Sequence, residues 1–491
     1  MLSLSTLAAA GLLLLGLAPQ VSADPIFVGY YPTWKAKEMK TVDLKKYTHV
    51  NIAFAAPLES GAIVLDKSFD MASAVKQIHD AGAKALLSIG GWSGSQNISY
   101  VVSNPSSGSR MMNDLFGLIE KHSLDGVDID WEHPGRQGAP QNRYDAAHDT
   151  PNFLEYLGTL RAQIDAKFKK NRKLVTLAVA TQPFYVDGSP AKDVSKFAKL
   201  VDYAHLMLYD MNGPWGSTTG PNAPLDPGHC ANNKESFSAA IDAWICAGWP
   251  PGQLTAGFAF YGRAMAATLD MSQKSSCQYQ DKTKEAIKGD VDDTVTPYSG
   301  MWQWKHLRGQ GILTTTNTTD RAWKRYWDTT TTTPWLFNNS PNNLTYISYD
   351  DTFSILLKVL HASSRGLAGA MVWSADMDYR NELIDAQRQR QQRCHGGGGG
   401  YVTNDGPKPS SSAPAGGSSP GAVTTDGGES GGGGGSSSAC TNGVLYTCDK
   451  PGVEPGYTVC LYGRPANMQC SAGTVCIAGG SSLSYGYGKG S

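Results

Sequence analysis

The sequence has little charge and almost no net charge. Asp, Glu, Lys and Arg make up 17% of its 491 residues and sum to −1 at pH 7. Nothing in that balance suits a polyanion, so the composition argues against nucleic acid and acidic membrane surfaces as partners. Long apolar runs are missing too. The stretch Leu7 to Leu17 is short for a membrane span, and Val21-Ser22-Ala23 behind it has the small-x-small form of a cleavage site. A secretory signal peptide over residues 1–23 is expected, although only the α-amino group supplies positive charge ahead of it. An uncleaved anchor is the alternative. The final "SYGYGKGS" has no apolar tail, which argues against a lipid-anchor signal. The spacings of the nine Cys do not suit zinc, and no Gly-rich dinucleotide loop follows the first candidate strand.

What the chain has in quantity is Gly (55 residues) and aromatic rings, with 12 Trp and 22 Tyr. Such rings suit sugar faces, though core packing is the plainer use for most of them. The Cys content and the sequons at Asn97, Asn317, Asn338 and Asn343 fit a secreted, oxidised protein. An odd Cys count leaves one thiol without an internal partner; Cys230–Cys246 and Cys277–Cys394 are conceivable bridges. From His395 the composition collapses into Gly, Ser, Pro, Ala and Thr. Residues 395–439 are therefore expected to be a flexible linker with a span of roughly 35–40 Å. Residues 440–491, with five Cys, form a module too small to stand without bridges.

The body, residues 24–394, alternates short β-rich runs with helical patterns. Candidate strands are 26–30, 49–54, 84–89, 126–131, 174–180, 203–209, 254–260 and 369–373. Helical patterns cover Met71–Ala81, Met111–His122, Pro151–Lys170, Lys234–Ala247 and Thr352–Ser364. Eight βα units predict an α/β protein, a (β/α)8 barrel. A doubly wound open sheet is the structural alternative. The long gap between the last two strands predicts an aromatic-rich α+β insertion over about 264–346.

The fourth strand reads "GVDIDW" and continues into Glu132. Alternate side chains share a face, so Asp128, Asp130 and Glu132 point one way and Val127, Ile129 and Trp131 the other. In a barrel the outer face packs on helices, so the carboxylates point inward. Three of them together cannot all ionise cheaply, and a shared proton is expected. Glu132, at the strand's C-terminal end, is the candidate for a raised pKa and general-acid duty. Metal binding and a solvated surface strand are the alternatives. The calcium-loop pattern lacks its Gly and distal Glu, and the flanking apolar density disfavours a surface strand.

"DGVDIDWE" (125–132) resembles the signature of family-18 glycoside hydrolases, the chitinases. "LLSIGGW" (86–92), "LMLYDMNG" (206–213), "YGR" (261–263) and "MVWS" (371–374) are similar to that family's other motifs, in order, over roughly 26–376. The resemblance implies a (β/α)8 barrel that cleaves β-1,4-linked N-acetylglucosamine polymers with retention, the substrate's own acetamido group acting as nucleophile. It implies Glu132 as acid and base, Asp130 as the group orienting the acetamido N–H, and Asp128 as its proton partner. Tyr209 would donate to the acetamido oxygen, and Asp210 would contact the distorted sugar. Ser88 would support Asp128. Trp373 would floor the cleavage subsite, against a core role. Tyr30 and Phe54 either shape the acetamido pocket or fill the barrel. Met207 either contacts substrate or packs. Gly90 and Gly91 would let backbone pass close beneath substrate, and Trp92, Trp215 and Arg263 are further contacts. His133 departs from the Tyr common after the catalytic Glu. No metal or organic cofactor is implied, and a monomer is expected.

The tail, 440–476, is similar to fungal family-19 carbohydrate-binding modules, which implies chitin binding with Tyr446, Tyr457 and Tyr462 as stacking rings; a generic disulfide knot is the alternative. The rival functions are a chitin-binding lectin on the same barrel and an endo-β-N-acetylglucosaminidase acting on N-glycans.

Overall fold

The computed structural model describes residues 24–228, 235–273, 278–280, 282, 287–290, 298–320, 322–340 and 343–388, and the backbone of five short strands between 446 and 487. The expected signal peptide, the linker, Cys230, Cys277, Cys394 and Tyr462 lie outside the described residues. So do the side chains of Tyr446, Tyr457 and Asn343.

Leaving three two-residue strands aside, seven strands come first: β1 (Ile26–Pro32), β2 (His49–Pro57), β3 (Lys84–Gly90), β4 (Gly126–Asp130), β5 (Leu174–Val179), β6 (Tyr203–Leu206) and β7 (Leu254–Ala259). Five others, β8 (Tyr261–Ala266), β9 (Met301–Gln303), β10 (Lys324–Asp328), β11 (Thr333–Ser340) and β12 (Asn343–Ser348), make a separate antiparallel sheet in the order β9-β8-β12-β11-β10. β13 (Gly369–Trp373) rejoins the first set. There β1 pairs in parallel with both β2 and β13, every other neighbour is parallel, and the eight strands close. The sheet is thus a barrel with no open edge, and the doubly wound alternative falls away.

The chain divides into two compact units. The barrel unit takes residues up to Leu208, then Ile241–Phe260 and Gly366–His395. The second takes Tyr209–Ala240 and Tyr261–Arg365, and in it Met265, Met271, Trp335, Phe337 and Tyr346 form a core of their own. Its sheet begins and ends slightly wider than 264–346.

Helices α1 (Met71–Asp80), α2 (Pro105–His122), α3 (Asp149–Lys167), α4 (Phe237–Cys246) and α5 (Thr352–Ser364) answer to the five helical patterns. α1 buries Met71, Ala74, Val75 and Ile78 at helical spacing, each large apolar side chain contributing about 1.5–3 kcal/mol. α2 starts six residues before the predicted Met111. Asn104 caps the N–H groups of Ser106 and Ser107, and Pro105 fixes the first turn. The last helix, α6 (Glu382–Arg388), lies against the N-terminal rim of the barrel. Arg388 stacks over Phe27 near the start of β1 and donates to Lys46 O, and Lys46 pairs with Asp385 at 2.6 Å.

Candidate active site

β4 ends at Asp130, one residue short of the predicted Trp131. Its outward residues, Val127 and Ile129, are fully packed. Its inward Asp128 is wholly buried and accepts three hydroxyl hydrogen bonds. Tyr30 OH and Ser88 Oγ donate to Oδ2 at 2.8 and 2.7 Å, and Thr176 Oγ1 donates to Oδ1 at 2.6 Å. The expected Ser88 contact is therefore present. Tyr30 serves Asp128 directly, a use outside both expectations for it. Asp130, 3% exposed, has one oxygen with no partner among the described residues. Burial, then the charges of Glu132 and Asp128, push its carboxyl well above the usual range. On this strand a raised carboxyl is thus seen at Asp130, one pleat below Glu132.

Glu132 stands past the strand end, its side chain 15% exposed. Its N–H donates to Ser95 Oγ at 3.0 Å, and its carbonyl accepts from Asn142 Nδ2 at 3.0 Å. His133 Nε2 lies 3.8 Å from Glu132 Oε2. Burial, then the charge of Arg136, push that imidazole down to about 3, so at neutral pH the contact is no ion pair.

Around the acids sits an aromatic floor. Trp373 stacks on Phe54 with ring centres 5.4 Å apart and planes at 15°, and Tyr30 lies 5.5 Å from Trp373. Trp34 joins them at 6.2 Å from Phe54 and is 51% exposed. Sequence reasoning missed Trp34; its signal was an aromatic in the loop directly after β1. Gly90 and Gly91 have φ of 110° and 77°. A Cβ on the first would strike Asp130 O at 2.1 Å, and on the second the Phe54 ring at 2.6 Å. Their smallness keeps Asp130 and Phe54 in place, a more specific reason than passage beneath substrate. Trp92 is half exposed and meets the His133 ring edge-on at 6.5 Å. β6 ends at Leu206, three residues short of the predicted end at 209, so Met207 and Tyr209 lie past the strand. Met207 is half-buried and donates its N–H to Val179 O.

In the second unit, Asp210 takes the left-handed conformation at φ 58°. Its Oδ1 accepts from Arg263 Nε at 2.8 Å and its Oδ2 from Tyr261 OH at 2.8 Å, while its N–H donates to Asn222 Oδ1. Arg263 also donates to Ser299 O and lies between Trp215 and Tyr261 at 5.2 and 5.0 Å from their ring centres. Tyr209 packs edge-on to Tyr261 at 6.1 Å. Asp210 and Arg263 are thus locked together, a pairing that the sequence left open. Lysine keeps the charge but cannot reproduce the planar fork. Arg263→Lys is expected to lower stability by about 2 kcal/mol, read as the free energy of urea unfolding.

Three barrel histidines are held neutral. Burial lowers His49 to about 4, with Lys84 and His205 adding to it. Burial likewise lowers His205, and His133 falls to about 3. A folded pKa below the unfolded 6.5 means that the unfolded chain binds more protons. Stability is therefore full above pH 6.5 and falls as pH drops towards 4. His49 alone accounts for about 3 kcal/mol across that window. Unfolding midpoints measured from pH 7 to 4 should fall, and His49→Gln should flatten the slope.

Other expectations need correction. Asn338 is 9% exposed, and its Oδ1 accepts from the N–H and Oγ of Ser340. Asn97 is half-buried and donates to Pro57 O, whereas Asn317 is exposed. Cys246 is an exposed free thiol, so the Cys230–Cys246 bridge is not made. Among the described residues, no helix is long and apolar enough to cross a membrane.

The closed parallel barrel carries a buried carboxylate ladder rising to its C-terminal end, the face on which barrel enzymes keep their chemistry. The chain belongs to glycosyl hydrolases family 18, matched over residues 26–378, and is a glycoside hydrolase. It is 34% identical over 392 residues to a chitinase-like effector of Moniliophthora roreri, covering 75% of this chain and 94% of the relative. It is 28% identical over 419 residues to Chitinase A1 of Niallia circulans, covering 73% of this chain and 57% of that one. The crystal structure of a chitinase from Rhizomucor miehei is similar at a TM-score of 0.67 and 30% identity, covering 74% of this chain and 99% of that one.

Proposed function

We propose that this protein hydrolyses β-1,4 bonds between N-acetylglucosamine units of chitin, with the substrate's acetamido oxygen as nucleophile and retention at the anomeric carbon. The observation that carries this reading is the ladder of buried carboxyls along one strand. Asp128 accepts hydrogen bonds from three hydroxyls. Asp130 above it is pushed up by burial and by its two acidic neighbours, which favours the protonated form. A protonated Asp130 leaves Glu132 a neighbour that can share its proton without adding a second charge. Glu132 gives a proton to the leaving oxygen, then takes one from water. Asp130 orients the acetamido N–H, Tyr209 donates to the acetamido oxygen, and Asp210 contacts the sugar. The stacked Trp373 and Phe54, with Trp34, form the floor for the rings, and Trp92, Trp215, Met207 and Arg263 are further contacts. The proposal includes secretion, action as a monomer without a cofactor, and a C-terminal chitin-binding module on a flexible linker.

A binding-only reading is prompted by the relative named a chitinase-like effector. The complete set Asp128, Asp130 and Glu132 in this chain favours hydrolysis. The test is the first anomer released from a soluble chitin oligosaccharide, followed by proton NMR. The β-anomer supports the proposal. Inverted α-anomer rejects the mechanism, and binding without cleavage leaves the lectin reading.

A further inference from the structure

We infer that Asn142 is a positioning residue for the reaction: its side-chain amide locks the acid Glu132 and the exposed ring of Trp92 into one rigid bracket. The inference rests on the hydrolytic reading above. Asn142 lies in the long loop after β4 and is only 5% exposed. Its single Nδ2 donates to two carbonyls at once, Trp92 O at 2.9 Å and Glu132 O at 3.0 Å. Two acceptors on one nitrogen fix which end of the amide is which.

The opposite side of Glu132 is held as well. Ser95, fully buried, accepts from Glu132 N–H at 3.0 Å and donates to Gly91 O at 2.9 Å. The peptide groups on both sides of the acid's Cα are thus tied to the loop after β3. A further tie runs from Arg143 N–H to Gln96 O, and Gln137 Nε2 holds Asn142 O at 3.0 Å. Trp92 is half exposed, yet its main chain is fixed by the same nitrogen that fixes Glu132. A sugar stacked on that ring is consequently placed in register with the acid proton. The spacing between the main chains that carry ring and carboxyl is held by one buried amide, with Ser95 and Arg143 as further ties.

Proximity effects are steep, and a displacement of about 1 Å can cost 10²-fold in rate. Asn142→Asp keeps the shape but turns both donors into an oxygen that repels the two carbonyls. Asn142 Oδ1 has no donor among the described residues, so the aspartate gains no compensating partner. The experiment compares wild type, Asn142→Asp and Ser95→Ala on a soluble N-acetylglucosamine oligosaccharide. It reads kcat, KM, the products released and amide hydrogen exchange of the full chain. Both variants are expected to lose kcat by about 10²-fold with KM within a few fold. Exchange should accelerate together in residues 91–97 and 131–135, with the rest of the barrel unchanged. Faster exchange confined to 139–143, or unaltered kcat in both variants, overturns the bracket. If Asn142→Asp unfolds, Ser95→Ala decides the question from the other side. If wild type releases no product, the hydrolytic reading fails, and exchange alone decides whether Asn142 couples the two loops.

Discussion

Glu132→Gln is expected to bind chitin oligosaccharides as tightly as wild type and to cleave them about 10³-fold more slowly. Glutamine is close in shape to glutamic acid, and the backbone of residue 132 is held from both sides by Ser95 and Asn142, so the fold has no reason to change. What disappears is a proton that can move. The amide cannot protonate a leaving oxygen, nor remove a proton from water in the second step. General acid–base assistance contributes on the order of 10²–10⁴-fold. Single-turnover rates together with calorimetric binding constants check this. A variant that lost binding in step with activity would place Glu132 in substrate contact and outside the chemistry.

Asp130→Asn should show the next largest effect, a loss of kcat of about 10²-fold with KM little altered. The wild-type carboxyl is 3% exposed and pushed upward, first by burial and then by its two acidic neighbours. It can hold a proton at working pH and still give it up when Glu132 changes charge. The amide of asparagine is permanently in a neutral state and cannot pass a proton on. The sign of the pH effect follows. A carboxyl with a raised pKa loses its proton as pH rises, so wild-type activity should decline on the alkaline side. In Asp130→Asn that part of the limb should vanish, leaving a flatter and lower profile. Profiles of kcat between pH 4 and 9 for both proteins decide it; an unchanged alkaline limb would remove Asp130 from the proton path.

The strands of the barrel are legible in the sequence because a fully covered sheet leaves dense apolar runs with few ways to be read. The acidic strand is legible because its period of two separates carboxylates from Val127 and Ile129. Ser88 beside Asp128 followed from neighbouring strands. Tyr30 on Asp128 did not, because the two lie 98 positions apart and meet only when β1 closes the barrel. The early start of α2 hid behind Ser and Gly, weak helix formers that Asn104 and Pro105 override. The end of β6 at Leu206 was overrun because apolar residues continue to Leu208 without a turn signal. Trp34 and Asn142 are single residues in loops. No periodicity announces them, and their partners belong to other segments of the chain.

The packing of α6 on the N-terminal rim also has a spatial consequence. Arg388 is fastened beside Phe27, whereas Asp130 and Glu132 open at the other rim. β1, seven residues long, measures about 23 Å from one rim to the other. The chain therefore leaves α6 at Arg388 on the rim opposite the acids.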